Sequence, residues 1–425
     1  MTRPALAASL TALASLTACG GGDEAKVAGG SQAPVKFEAA CDVEGLTRPL
    51  RQTAIVIDEQ SVVRAEAAEF RTKNPGLIDS VVAVADPIQA VELGSLAPRE
   101  RVSLFVTPSD GSAPRLVFTG CAPAVTAEEV AQLTSGASTA KRASDTFFAS
   151  GKPNEIKTQA EAFQAQLLGA VRRASLSAPD KPGRAAESFE GSSAVRSLKA
   201  ATRLLDSAAG APRLVLLAPA ALRSIPASAD PEASRRAGFE AAKRADLDLG
   251  MAEVAVALVG PGASRDYMDA FLLGSRGRLT SWSSAAPTNL APAPTSVRNF
   301  AGTIQYGATD FPVRARIAVD RSGRLTNSWI VVMNEQEAAT PLNGSAACDG
   351  NGDCKITGDG SGFSQLWSAK AGGEPEFVAE LPFSGLRNFE LVITRGRATG
   401  RVFDPLVDQV GNSKDLRFQM AEVTG

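Results

Sequence analysis

Asp58 and Glu59 close an apolar run, Thr53 to Ile57, and are the residues of this 425-residue chain whose placement first suggests chemistry. A continuous apolar run of that length suits a strand buried on both faces. The two acids then fall at the carboxyl end of a central strand, where open α/β sheets hold their ligands. Adjacent carboxylates can serve as general acid and base; a solvated strand end is the plainer reading. Asp349-Gly350-Asn351-Gly352-Asp353 has the spacing that opens an EF-hand calcium loop. Cys354 stands where that loop needs its sixth-position Gly, and Gly360 where it needs Glu, so a tight turn built from Asn, Asp and Gly explains the segment equally. Gly260-Pro261-Gly262 follows another apolar run, but its proline removes an amide that a phosphate would need, which leaves a strand-to-helix turn. The chain contains no histidine. That excludes Ser-His-Asp and Cys-His catalysis in their usual forms and most zinc and copper sites. No cofactor, resident metal or enzymatic activity is expected.

The amino terminus addresses the chain. A single Arg3 precedes an apolar run of small residues, Ala5 to Ala18, about 14 residues against the ~20 that a membrane-spanning helix needs. A charged start, a short apolar middle and a small-residue end make a secretory signal. Its last residues, Leu16-Thr17-Ala18-Cys19, resemble the lipobox of bacterial lipoproteins. The resemblance implies removal of residues 1–18, a lipid on the Cys19 sulfur and an acylated new terminus; an ordinary signal cleaved after Ala18 is the alternative. Residues 19–35, beginning Gly20-Gly21-Gly22, read as a flexible tether. The non-acidic Gly20 implies the outer membrane. With Cys19 lipidated, Cys41, Cys121, Cys348 and Cys354 remain, an even number in an exported chain. Cys348 and Cys354 flank a turn-rich loop and are expected to pair, which leaves Cys41 with Cys121; free buried thiols are the alternative for the latter two. Chain entropy assigns ~4–5 kcal/mol to the long loop and ~2 kcal/mol to the short one.

The elements that would position these residues divide the chain in two. Over 36–284, apolar strands alternate with amphipathic helices. Strands are expected at Thr53–Ile57, Val102–Val106, Arg115–Phe118, Arg213–Leu217, Ala252–Val259 and, at an edge, Arg278–Trp282. Helices are expected over Val62–Lys73, from Thr126-Ala-Glu-Glu129 in capping-box form, around Phe163 to Val171, around Val195 to Leu205, from Asp230-Pro231, and from Ser264 to Leu273. The pattern makes an open, mostly parallel sheet with helices on both faces, interrupted by one early hairpin. Residues 285–297 are Pro-rich and form the expected linker. Beyond it, in 298–425, apolar residues recur every second position: Val313, Ala315, Ile317 and Val319; Phe377 to Phe383; Phe389, Leu391 and Ile393; Leu416, Phe418 and Met420. About eight strands between Gly-rich turns give a small sandwich or closed barrel.

The region 51–284 resembles a von Willebrand factor A-like domain. The likeness rests on Ala54-Ile-Val-Ile-Asp58, the early hairpin, Pro212–Leu217 and Ala252–Gly260. That family holds a metal with Asp-x-Ser-x-Ser after its first strand. Here the stretch is Asp58-Glu59-Gln60-Ser61-Val62: the Asp is kept, both serine positions are lost, and Ser61 is out of register. Where the family has a second Asp, after the fourth strand, this chain has Ala218-Pro219-Ala220. The resemblance therefore implies a degenerate, metal-free cleft.

Net charge is −2 with both signs interspersed, so nucleic acid is not an expected partner. The expected function is a non-catalytic, protein-binding or scaffolding lipoprotein of the cell envelope, with the membrane and an envelope protein as partners. A lipid or glycan carrier using the β domain is the second reading, and a hydrolase using Asp58 and Glu59 the third.

Overall fold

The computed structural model describes residues 33–38, 41, 49–66, 68–87, 96–108, 111–123, 151–176, 188–205, 210–219, 222, 225, 230–287, 290–306, 309–333, 336–360, 364–368, 376–381, 388–402 and 416–423. The signal segment, Cys19 and most of the tether, the Thr126–Glu129 helix start and Phe383 lie outside them.

The first half is α/β. Seven strands run in chain order β1 (Val35–Phe37), β2 (Arg51–Asp58), β3 (Arg101–Thr107), β4 (Arg115–Cys121), β5 (Ala211–Leu217), β6 (Ala252–Ala257) and β7 (Gly277–Trp282). Their order across the sheet is β1-β4-β3-β2-β5-β6-β7. The β2, β3, β5, β6 and β7 strands are parallel, and β4 returns antiparallel beside β3. The expected hairpin is thus the one reversal beside an otherwise parallel sheet. The short β1 pairs parallel to β4, with Val35 opposite Phe118.

Period-two alternation divides each strand between two cores. Ile55, Ile57, Leu104, Val215 and Ala255 join Leu77, Val81, Phe163 and Leu167 on one face. Ala54, Val56, Leu214, Leu216 and Val254 join Leu198, Ala241, Phe271 and Leu272 on the other. The helices of the first face are α2 (Pro75–Ala85) and α3 (Gly151–Leu176), which follow the single-turn α1 (Phe70–Lys73). Those of the second are α4 (Ser193–Thr202), α5 (Pro231–Ala245) and α6 (Arg265–Gly274). Each fully buried aliphatic side chain contributes roughly 1.5–3 kcal/mol, so the sheet is clamped from both sides. The expected caps form: Asp230 accepts from the Glu232 amide ahead of Pro231, and Ser264 accepts from the Tyr267 amide.

One expected helix is displaced. The segment 62–66 is not helical; after the short α1, the longer helix begins at Pro75 instead of ending there. Pro is well placed at the first helical position, where its missing N–H has no helical partner to lose. The Asn74 side chain holds the preceding segment open, accepting from Val63 N and donating to Val63 O, both at 2.8 Å.

The second half is a closed, eight-stranded antiparallel barrel. Its strands are β8 (Pro294–Tyr306), β9 (Thr309–Asp320), β10 (Ser328–Met333), β11 (Gln336–Cys348), β12 (Cys354–Gly360), β15 (Phe389–Thr394), β16 (Arg397–Val402) and β17 (Leu416–Glu422). The ring closes through pairing of β10 with β11. A hairpin of β13 (Ser364–Ser368) and β14 (Glu376–Leu381) extends the sheet from β11. Inward-facing Phe300, Ile304, Val313, Ile317, Ile330, Ile356, Phe389, Leu391, Phe418 and others pack as one apolar cluster. Eight strands enclose just enough room for side chains to fill. Closure at this radius brings neighbouring backbones together: a Cβ at Gly302 would lie 2.0 Å from Gln419 O, and one at Gly358 would lie 1.9 Å from Asn343 O. Only glycine fits at either position.

Both expected disulfides are present, Cys41–Cys121 and Cys348–Cys354. The first ties the segment after β1 to the end of β4. The second closes the β11–β12 hairpin, whose register sets Cys348 opposite Cys354.

Candidate functional site

The carboxyl end of the parallel sheet is where sequence reasoning places a ligand. Asp58 ends β2 there. Its Oδ1 accepts the Gln60 amide at 3.0 Å and so caps the single 3-10 turn Glu59–Ser61. Glu59 is 4 % exposed, and its Oε1 accepts from Arg115 Nη2 on β4 at 2.7 Å. The two acids that could have formed an acid–base pair are thus engaged by different neighbours. Val62 is buried and offers no oxygen where the A-like family places a hydroxyl. After β5, Ala218 takes a left-handed conformation with φ 53° and donates its amide to Ala257 O; Ala218-Pro219 supplies no carboxylate. At the end of β3, the Thr107 hydroxyl bonds that of Ser197 on α4 at 2.7 Å. Among the described residues, Asp58, Glu59, Thr107 and Ser197 at this end each make a hydrogen bond within the α/β half.

The calcium-like loop is likewise self-contained. Asp349 Oδ1 accepts the amides of Asn351 and Asp353 at 2.9 and 3.0 Å. Asp353 Oδ1 accepts the amide of Arg395 in the turn between β15 and β16. These are the bonds of a tight acidic turn, and they draw two of the loop's acids toward its own backbone. Among the described residues, no group of three or more Cys, Asp or Glu side chains converges as a metal would require.

Among the described residues, a cluster of fully buried charges lies at the opposite, amino end of the sheet, which sequence reasoning passed over. Arg51 begins β2, Arg213 lies early in β5, and Glu100 immediately precedes β3; all three side chains are at most 1 % exposed. Glu100 Oε2 accepts from Arg51 Nε at 3.0 Å and from the Ala97 amide at 2.7 Å. Its Oε1 accepts from Arg213 Nη2 at 3.0 Å and from the Thr53 hydroxyl. Arg213 Nε also donates to Thr53 Oγ1 at 2.8 Å. Burial alone would raise the Glu100 pKa. Arg213 and Arg51 outweigh it and hold the carboxyl below its ordinary value. Burial, with the neighbouring Arg51 charge, brings Arg213 down to about 10, which leaves it protonated at neutral pH.

This cluster continues into the barrel. Glu253, early in β6, accepts at Oε1 from the Asn327 amide at 2.7 Å and from Thr326 Oγ1 at 3.3 Å. Both donors sit in the turn between β9 and β10. Asn327 Nδ2 reaches Pro212 O at 2.9 Å, while its Oδ1 accepts from Trp329 Nε1 at 3.1 Å. Arg316 on β9 is 6 % exposed; burial lowers its pKa to about 10 against the opposing pull of Glu253. Beside these groups, the outer face of β10 presents Trp329 and Val331 to Phe239 of α5 and to Met251. The Pro-rich segment crosses the same seam: Arg51 Nη1 donates to Ala291 O and Pro292 O, at 3.4 and 3.2 Å. A sequence signal did exist, because Arg213 and Glu253 are charged residues inside strands in which every residue is buried.

Among the described residues, no helix is long and apolar enough to cross a membrane. No protein-family model matches the chain, and neither a curated protein nor a solved structure shows significant similarity to it.

Proposed function

We propose that this chain is an exported lipoprotein, anchored through Cys19 to the outer membrane, whose α/β unit is of the von Willebrand factor A-like type and acts with the barrel as a non-catalytic, protein-binding scaffold of the cell envelope. One observation carries the non-catalytic reading. The acids at the carboxyl end of the sheet, Asp58 and Glu59, serve a backbone amide and an arginine. The A-like reading is supported by the strand order, with an antiparallel strand beside an otherwise parallel set. Two disulfides support an oxidising compartment outside the cytoplasm, in keeping with the Leu16–Cys19 motif.

The test is affinity capture from envelope extracts with the lipidated full-length protein, in the presence and absence of a chelator. A saturable partner that persists with chelator is expected. The metal-free reading is overturned if Mg²⁺ or Mn²⁺ binds tighter than about millimolar and Asp58→Ala abolishes it, since that would require a built octahedral site. The anchor has its own check. Cys19→Ser should leave the membrane fraction or remain uncleaved; a mature, lipid-free species still on membranes would refute it.

A further inference from the structure

The two disulfides occupy opposite situations. Cys41 and Cys121 are 6 % and 0 % exposed, lie 80 residues apart and form an isolated buried pair. Cys348 is exposed at the end of β11, Cys354 is 8 % exposed, and only six positions separate them.

The short bridge also duplicates work that other bonds already perform. The β11–β12 ladder runs unbroken from Leu342–Gly360 to Cys348–Cys354. The loop beyond it is closed by Asp349, which accepts the amides of Asn351 and Asp353, and by an Asp349 N to Asp353 O bond at 2.9 Å. Asp353 is fixed to Arg395 N, and Arg298 Nη1 donates to Gly352 O at 2.7 Å. Cys354 is held further by the pairing of β12 with β15, where it lies opposite Ile393. Opening the S–S bond therefore leaves the hairpin in place.

We propose that Cys348–Cys354 is a thiol–disulfide exchange site on the folded protein, open to a dithiol partner, whereas Cys41–Cys121 is closed to exchange until the fold opens. Exchange requires a thiolate to approach one sulfur in line with the S–S bond, so access governs it as strongly as thermodynamics. One thiolate of the dithiol attacks the sulfur of exposed Cys348. A mixed disulfide forms, the Cys348–Cys354 bond breaks, and Cys354 departs as a thiolate that takes up a proton. The second thiol of the partner then attacks the mixed disulfide and releases Cys348. The partner ends as a disulfide, two electrons having passed to the cysteine pair. This inference rests on burial and hydrogen bonding alone and stands whether or not the scaffold reading does.

Exposure of the intact folded protein to dithiothreitol, followed by alkylation and peptide mapping, tests it. Cys348 and Cys354 should label at least about tenfold faster than Cys41 and Cys121, with unchanged far- and near-ultraviolet circular dichroism. With a monothiol, rapid alkylation should trap the mixed disulfide on Cys348 with Cys354 as the alkylated thiol. The doubly substituted Cys348→Ser, Cys354→Ser protein should fold and take up no label at Cys41 or Cys121 under native conditions. Reduction of both pairs together, or reduction only with loss of the near-ultraviolet signal, would overturn the proposal. So would labelling that begins at Cys41.

Discussion

The two ends of the parallel sheet treat charge differently. At the carboxyl end, Asp58 serves an amide two residues away, and Glu59 pairs with the partly exposed Arg115. At the amino end, the bonds join fully buried charges on separate elements. Arg51 and Glu100 are 49 positions apart, Arg213 and Glu100 are 113 apart, and Glu253 and Asn327 are 74 apart. The carboxyl-end bonds, Glu59–Arg115 across 56 positions and Thr107–Ser197 across 90 among them, stay within the α/β half, whereas the amino-end bonds reach the barrel. Among the described residues, the buried charges that join the α/β half to the barrel lie at the amino end, and Asp58 and Glu59 at the other end bond within the α/β half.

The sharpest way to break this contrast is Glu100→Ala. It leaves Arg51 and Arg213 buried against each other, and removal of one partner from a buried ion cluster costs about 3–5 kcal/mol. Chemical denaturation should show that loss, with Glu100→Gln intermediate. The same carboxyl sets an acid limit. Its folded pKa lies below the ordinary 4.5, so its contribution is present above that value and disappears as pH falls through the lower folded value. Melting temperature against pH should decline in that window for the wild type and much less for Glu100→Gln.

A smaller effect is expected at the seam. Asn327→Ala strips the bonds to Pro212 O and Trp329 Nε1, buried groups that then lack partners, at about 1–3 kcal/mol. The loss should appear as a lower single transition, and Trp329 fluorescence should follow the same curve as circular dichroism. A protease site introduced within 286–289 and cut in the folded protein should yield two pieces that co-elute and melt together. Separation on gel filtration would show that the amino-end cluster does not join the halves.

Effects no larger than at the seam belong to the carboxyl end. Asp58→Ala removes a cap from a single turn, about 0.5–2 kcal/mol. Arg115→Ala removes the arginine, itself 39 % exposed, from a Glu59 side chain that is 5 % exposed, at about 1–3 kcal/mol. If either destabilises as much as Glu100→Ala, the contrast between the ends fails.

What was legible in the sequence was whatever repeats at short range. Alternation marked Val313 to Val319 and Phe389 to Ile393, continuous apolar runs marked β2, β5 and β6, and capping residues marked Asp230 and Ser264. Cysteine parity and loop length identified both bridges. Helix α2 escaped because Asn74-Pro75-Gly76 serves equally as a stop and as a start, and the contact that decides, Asn74 to Val63, is tertiary. Strand β1 escaped because three residues carry no periodicity; only the β4 edge makes them a strand. The amino-end cluster was hidden for the same reason. Arg213 and Glu253 stand out as charges within apolar runs, but nothing local names a glutamate 113 residues away as the partner of Arg213. At Asp58 the reverse holds, since the absence of oxygen at Val62 and of carboxylate at Ala218 can be read directly from the chain.

The short β1 acquires a mechanical meaning on the lipid-anchored reading. Tension along the tether would enter the folded unit just before Val35 and load a parallel ladder of three residue pairs against β4. Such a ladder peels early. Extension is then arrested at Cys41, whose covalent link to Cys121 passes the force to the end of β4 and the hairpin behind it. The slack released between Phe37 and Cys41 is at most about 14 Å at ~3.5 Å per residue. On that reading the bridge would act as a strain relief, keeping a pull on the tether from unravelling the sheet.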